Sequence, residues 1–306
     1  MQSVNSIRKR KNTNRNQNKK NIFCPNRDIE TKPNTKLPFF AYGILKPGEI
    51  AYSNIKGCIS DKYEDDIPYS MKQRDGVPIL LPKKNENSKK THGYKYYFFD
   101  NKKAYKIINQ TISNKLYEWG IINIGTDDFN VLFGKCPNLG SDKIEEESDR
   151  KNYKGDHDLL FDNGLKLIRE NLESKNFYHE DGFLKLQMNY MLLWSAIDRY
   201  CKLKYNKETE HENRMELANE NSFIAALNKY TSGKKYRTIY TDKLDPRRFI
   251  ISKPDWCINY YYTLRCNVVH RGKATVGDFS MLKTATKELL EIFKNILNDT
   301  FNKTEL

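Results

Sequence analysis

Between residues 37 and 135 the apolar positions come in short runs, LPFFAYGIL, GVPILLP, GYKYYFF, YEWGIINI and FNVLFG, broken by Gly, Pro, Asn and charged residues. That punctuation predicts strands, with one helical spacing among them over 103–116, and so a small β-rich α+β domain. From residue 158 the spacing turns helical. Leu159, Leu160, Leu165, Leu167, Ile168 and Leu172 open a first helix. The segment 183–203, FLKLQMNYMLLWSAIDRYCKL, is a second helix, apolar enough to need cover on most sides, with Leu192, Leu193, Trp194 and Ile197 in the core. A third helix over 222–230, a Pro- and Lys-rich loop, and helices over 256–269 and 278–297 complete a predicted all-α bundle spanning 158–306. Residues 136–157, rich in charge with Pro and Gly and without apolar period, read as a linker.

Charge adds a third region. The chain carries a net +14, of which the first 36 residues hold +8 from ten Lys/Arg and two acids, leaving +6 on the rest. With almost no apolar content, 1–36 is predicted to be a disordered basic arm, serving either as a solubilising tail or as an arm that tracks phosphate. No run approaches the ~18 consecutive apolar residues of a membrane span, and the basic N-terminus is unlike a signal core, so a cytoplasmic protein with no membrane partner is expected. The six cysteines form no Cys-x-x-Cys pair and the five histidines no cluster at ligand spacing. No metal and no cofactor are expected.

The window 260–273, YYYTLRCNVVHRGK, holds Arg265 and His270 with Asn267 between them. This Arg-x4-His arrangement, with an aromatic before the Arg and His-Arg-Gly-Lys after, resembles the signature of the HEPN superfamily. The likeness extends over 158–306, including Trp194 and Asp198 on the long upstream helix. It implies a helical domain that cleaves RNA without a metal, leaves 2′,3′-cyclic phosphate ends, and pairs its motif across a homodimer. One departure is Cys266, which stands where many members have a polar residue.

The residue types suit that chemistry. A base must activate the ribose 2′-hydroxyl and a fixed cation must stabilise the negatively charged phosphorane. His270 has the side chain best suited to take or give a proton, and serves as base or acid. Arg265 presents a permanently charged fork to two phosphate oxygens. Asn267 either orients the imidazole or donates to the phosphate. Tyr262, one turn before Arg265, positions base or sugar. Asp198 either pairs with Arg265 or marks the wet edge of its helix. Arg271 and Lys273 are candidates for the RNA backbone, as well as ordinary surface cations. Five residues apart on an ideal helix means about 140° between side chains, so Arg265 and His270 do not stack. Gly272 was expected to end the helix and let His270 turn back, with a second protomer completing the cleft.

In the N-terminal region, Tyr42-Gly43-Ile44-Leu45 resembles the opening of the gamma-glutamylcyclotransferase-like family, in which backbone amides after a Tyr-Gly-x-Leu strand end cup an anionic group. GVPILLP and GYKYYFF resemble further family strands, so the likeness implies a small β-barrel with a pocket at Tyr42, Gly43, Ile44 and Leu45. The family's catalytic glutamate has no counterpart between Asn101 and Tyr117, and its strand arginine is Trp119 here. A retained pocket without cyclotransferase chemistry is therefore expected, unless Glu118 or an acid of the 61–66 run reaches it.

Joined, these readings describe an endoribonuclease of toxin or antiphage-effector type, with an antitoxin or small-molecule ligand acting on its N-terminal domain. Two rivals remain at this point: a non-catalytic module binding RNA or protein, and a gamma-glutamyl cyclotransferase that uses its helical domain to dimerise.

Overall fold

The structure, a computed structural model, describes residues 32–74, 76–84, 90–135, 142–143, 155, 158–174, 180–231, 236–240, 245–271 and 276–302. Most of the basic arm, most of the 136–157 linker, Gly272 and Lys273 therefore lie outside the described residues.

The N-terminal part is a mixed sheet. Its strands are β1 (Phe39–Ala41), β2 (Ile59–Ile67), β3 (Tyr69–Arg74), β4 (Val77–Lys84), β5 (Thr91–Phe98), β6 (Tyr117–Ile124), β7 (Asp127–Gly134) and β8 (Asp142–Lys143). A short helix α1 (Tyr52–Ile55) and a longer one, α2 (Asn101–Thr111), are inserted among them. The order is β2-β5-β1-β7-β4-β3-β8, with β6 on β7. One edge of β7 takes two partners in succession, β1 in parallel at Asn130 and β4 in parallel at Leu80–Phe133. The turn after β1 explains this. Gly43 adopts φ +60 and lies directly under Pro78, so β1 stops after three residues and leaves the rest of the β7 edge to β4.

The expected closed barrel is not found: among the described residues the path ends at β2 and β8 and the sheet is open. Closure would need β2 to pair along both edges. Instead, β2 pairs β5 on one edge, and its sequence ISDKYEDDI keeps Asp61, Lys62, Tyr63 and Glu64 exposed, the charged character that protects an edge strand.

The C-terminal part contains α3 (Leu165–Glu173), α4 (Glu180–Lys204), α5 (Glu210–Ala218), α6 (Asn221–Tyr230), α7 (Pro254–Arg271) and α8 (Val276–Thr300). The expected Pro- and Lys-rich loop is instead in part a two-stranded hairpin, β9 (Tyr236–Tyr240) with β10 (Pro246–Ile250). The protein is thus mixed α+β, with a mixed sheet followed by a mainly helical half. The two 25-residue helices, α4 and α8, supply much of the second core: Leu186, Tyr190, Leu193, Trp194 and Ile197 of α4 and Leu282, Ala285, Leu289 and Phe293 of α8 are buried. Leu192, expected in the core, is only partly buried. Among the described residues no helix is long and apolar enough to cross a membrane.

Two buried polar clusters fix the helices. Glu288 on α8 holds Arg237 of β9 through two bonds of 2.6 Å and accepts from the Tyr261 hydroxyl at 3.0 Å. Glu220 accepts from Tyr200 and Tyr205 and pairs with Lys204 at 2.9 Å, joining the end of α4 to the start of α6. The two halves also touch. Asn54 donates to the Lys204 carbonyl at 2.6 Å, Gly155 donates to buried Glu49 at 2.9 Å, and the Gly76 turn packs on Arg199, which pairs with Asp158 at 2.5 Å.

Candidate functional site

α7 is buried along Cys257, Ile258, Tyr261, Leu264 and Asn267, so its opposite side, with Tyr262, Arg265, Cys266 and Val269, faces outward or toward α5. Tyr262 is the hub of what gathers there. Its ring meets Trp194 edge-on at 5.6 Å, its hydroxyl donates to Glu210 at 3.0 Å, and two guanidinium groups approach it, Arg214 with Cζ 3.4 Å and Arg265 with Cζ 5.6 Å from the ring centroid. Burial and the bond to Glu210 push the Tyr262 hydroxyl above its ordinary pKa.

Arg265 is half-buried, and its Nε is covered without a hydrogen-bond partner. Asp198, half-buried on α4, belongs to the same cluster but forms no ion pair within 4 Å of Arg265 among the described residues. Burial first, then the nearby Glu210, raises its carboxyl to about 6, against the opposing pull of Arg265 and Arg214. Of the two readings of Asp198, the structure thus gives a charged neighbour at a distance in place of a closed salt bridge.

His270 lies apart. α7 runs through Arg271, so His270 is still within the helix, and the expected terminator Gly272 lies outside the described residues. His270 is exposed on the last turn, about 140° around the helix from Arg265. Asn267 is 4 % exposed, and its amide donates to the Tyr240 carbonyl at 2.7 Å. It does not orient the imidazole; it fastens the β9–β10 hairpin to α7, while its buried Oδ1 has no partner. Arg271 closes α7, and Lys273 lies outside the described residues.

The structure places Tyr262, Arg265 and Asp198 near one another, with the core residue Trp194 against Tyr262, and adds Arg214 and Glu210, which the sequence reading did not name. The available signal was the capping box of α5, in which the Thr209 side chain accepts from the Glu212 amide and Glu212 accepts from the Thr209 amide. That box starts a helix at Glu210 and sets Arg214 one turn later.

The N-terminal candidates form a packed turn. Tyr42, Ile44 and Leu45 are buried, the Tyr42 hydroxyl donates to the Leu132 carbonyl at 2.6 Å and accepts from the Leu80 amide at 3.0 Å, and Tyr96 donates to the Leu45 carbonyl at 2.9 Å. Burial raises the Tyr42 hydroxyl well above its ordinary pKa. The acids of the 61–66 run do not reach this turn. Glu64 bonds Tyr94, Asp65 pairs with Lys95 at 2.9 Å, and Asp66 bonds His92, all along the β2–β5 ladder. Trp119, in place of the family arginine, is core: it packs on Tyr105 and Phe39 and donates to Asn109 at 2.8 Å.

No family model matches this chain, and no curated protein matches it. Among solved structures, an uncharacterized protein from Pyrococcus horikoshii aligns with 45% of this chain and 99% of its own length at 14% identity, with a TM-score of 0.29. A likeness at that level establishes no shared fold.

Proposed function

We propose that this chain is a metal-independent endoribonuclease of HEPN type, acting as a homodimer in which Arg265 of one protomer and His270 of the other serve one RNA. The observation that carries this reading is the division of labour along α7: a half-buried arginine with an unpaired Nε, set among Tyr262, Asp198 and Arg214, and an exposed histidine on the last turn. Each is half of a site. A guanidinium held against an aromatic ring suits the phosphorane, and an imidazole open to solvent suits proton transfer.

In this mechanism His270 removes the 2′-hydroxyl proton, and the oxygen attacks the adjacent phosphorus while Arg265 neutralises the equatorial oxygens. The bond to the 5′-oxygen breaks, that oxygen takes up a proton, and the products are a 2′,3′-cyclic phosphate and a 5′-hydroxyl. Exposed Leu184 and Met188, one turn apart on α4, and Val269 on α7 supply apolar surface for a second copy. Regulation by the N-terminal domain is supported by the Gly76 turn, which leaves no room for a side chain against Arg199, the residue next to Asp198. An effector of toxin or antiphage type fits an RNA-cutting site under such control.

The test is incubation of the purified protein and of His270→Ala with total cellular RNA in EDTA, followed by end-group analysis. Fragments with cyclic phosphate ends that vanish in the variant are expected. RNA binding with no cleavage by either protein would favour a non-catalytic module, the reading to which the separation of Arg265 from His270 within one protomer lends weight.

A further inference from the structure

Arg214, on α5, is a buried cation. It is 6 % exposed, its Nε and Nη1 are covered without a hydrogen-bond partner, and its guanidinium lies 3.4 Å from the centre of the Tyr262 ring. Asp198 attracts it from a distance, without a closed ion pair. Glu210 receives the Tyr262 hydroxyl, and neither Glu210 nor Asp198 is within ion-pair distance of Arg214 among the described residues. Burying a guanidinium with idle donors is strongly unfavourable, and the donors gain most from an acceptor that can meet several of them at once. Arg265 repeats the pattern, with its own covered and unpaired Nε beside the same ring.

We propose that Arg214 and Arg265 form a phosphate clamp backed by Tyr262, with Arg214 as a second binding residue that holds a phosphodiester of the RNA chain. The chemistry is that of paired arginine forks, whose N–H groups match tetrahedral phosphate oxygens two at a time, with both guanidinium groups held beside one aromatic ring. Two elements contribute one arginine each, α5 and α7, so the clamp exists only in the folded bundle. The identity of the ligand as RNA rests on the ribonuclease reading; the affinity for phosphate does not.

The experiment uses the full chain. Melting is followed in inorganic phosphate against sodium chloride of equal ionic strength, and binding of a 2′-O-methyl RNA oligonucleotide, which cannot be cleaved, is measured across salt concentrations. Phosphate is expected to stabilise the wild type. Arg214→Met is expected to melt at or above the wild-type temperature without phosphate, to lose the phosphate effect, and to bind the oligonucleotide roughly tenfold more weakly, with a log–log salt slope smaller by about 0.7. Unchanged phosphate stabilisation and an unchanged slope in Arg214→Met overturn the clamp. Should that variant fail to fold, Arg214→Lys decides. Several-fold weaker binding with the slope retained supports a forked contact, and wild-type affinity overturns it. Cleavage that depends on His270 but is indifferent to Arg214 would remove the clamp alone, and phosphate binding without cleavage would remove the nuclease reading alone.

Discussion

Replacing Asp198 by asparagine should make the protein more stable at neutral pH, against the usual outcome of deleting a charged side chain beside two arginines. The carboxyl is held at about 6 in the folded protein against an ordinary 3.8, chiefly by burial and secondarily by Glu210. The sign follows from proton binding. Between those two values the folded state carries more proton than the unfolded chain, so stability is full below the unfolded pKa and falls as pH rises through 6. Two pKa units correspond to roughly 3 kcal/mol at most, and partial exposure of the carboxyl screens this to about 1–2 kcal/mol. Urea unfolding of wild type and Asp198→Asn from pH 4 to 8 measures it. The two proteins should differ little near pH 4, diverge between about pH 4 and 6 and keep a constant gap above that, with the variant higher by about 1–2 kcal/mol at pH 7.5. Parallel curves, or a variant less stable at pH 7.5, would show that Asp198 is a satisfied ion-pair partner of Arg265 and that the cluster has been misread.

Arg237→Met should leave the buried Glu288 carboxylate without its arginine and cost about 3–5 kcal/mol in urea unfolding, whereas the double variant Arg237→Met/Glu288→Gln should recover a large part of that loss; equal stability of the single variant and wild type would mean that the pair does not anchor the hairpin. Gly43→Ala forces a Cβ into Pro78 at φ +60 and should cost about 2–4 kcal/mol, visible as a lowered urea midpoint, with loss of the sheet's cooperative unfolding if Pro78 cannot move.

Much of the sheet was legible because β4, β5, β6 and β7 carry apolar runs bounded by turn residues. β2 was not: its exposed Asp61, Lys62 and Glu64 show no alternation, and what holds it is a ladder to β5 with cross-strand partners 30 or so residues away. Openness of the sheet is decided by which edges pair, and no single strand's sequence states that. The β9–β10 hairpin hides for a related reason. Its inner face is Arg237, Ile239 and Phe249, and the arginine is acceptable inside only because Glu288 meets it from α8, 51 positions on. In the site, Arg265 and Tyr262 were legible from helical spacing, and Trp194 and Asp198 from the long apolar helix before them. Arg214 was not, because EHENRMELA has a weak apolar stripe and its helix is fixed mainly by a cap. Asn267 misled for the opposite reason. It lies within the motif window, yet its place on α7 turns it inward, to a strand that the sequence reads as loop.

The division of one site between two protomers is the claim on which the account most depends. It is tested by co-expressing Arg265→Ala and His270→Ala chains with different tags and purifying the mixed dimer through both. Each mutant homodimer lacks one group in every site, while the mixed dimer retains one site with both. The account predicts cleavage in EDTA by the mixed dimer, at roughly half the wild-type rate per dimer and with 2′,3′-cyclic phosphate ends, from parents that are both inactive. A mixed dimer as inactive as its parents, beside an active wild type, would contradict it.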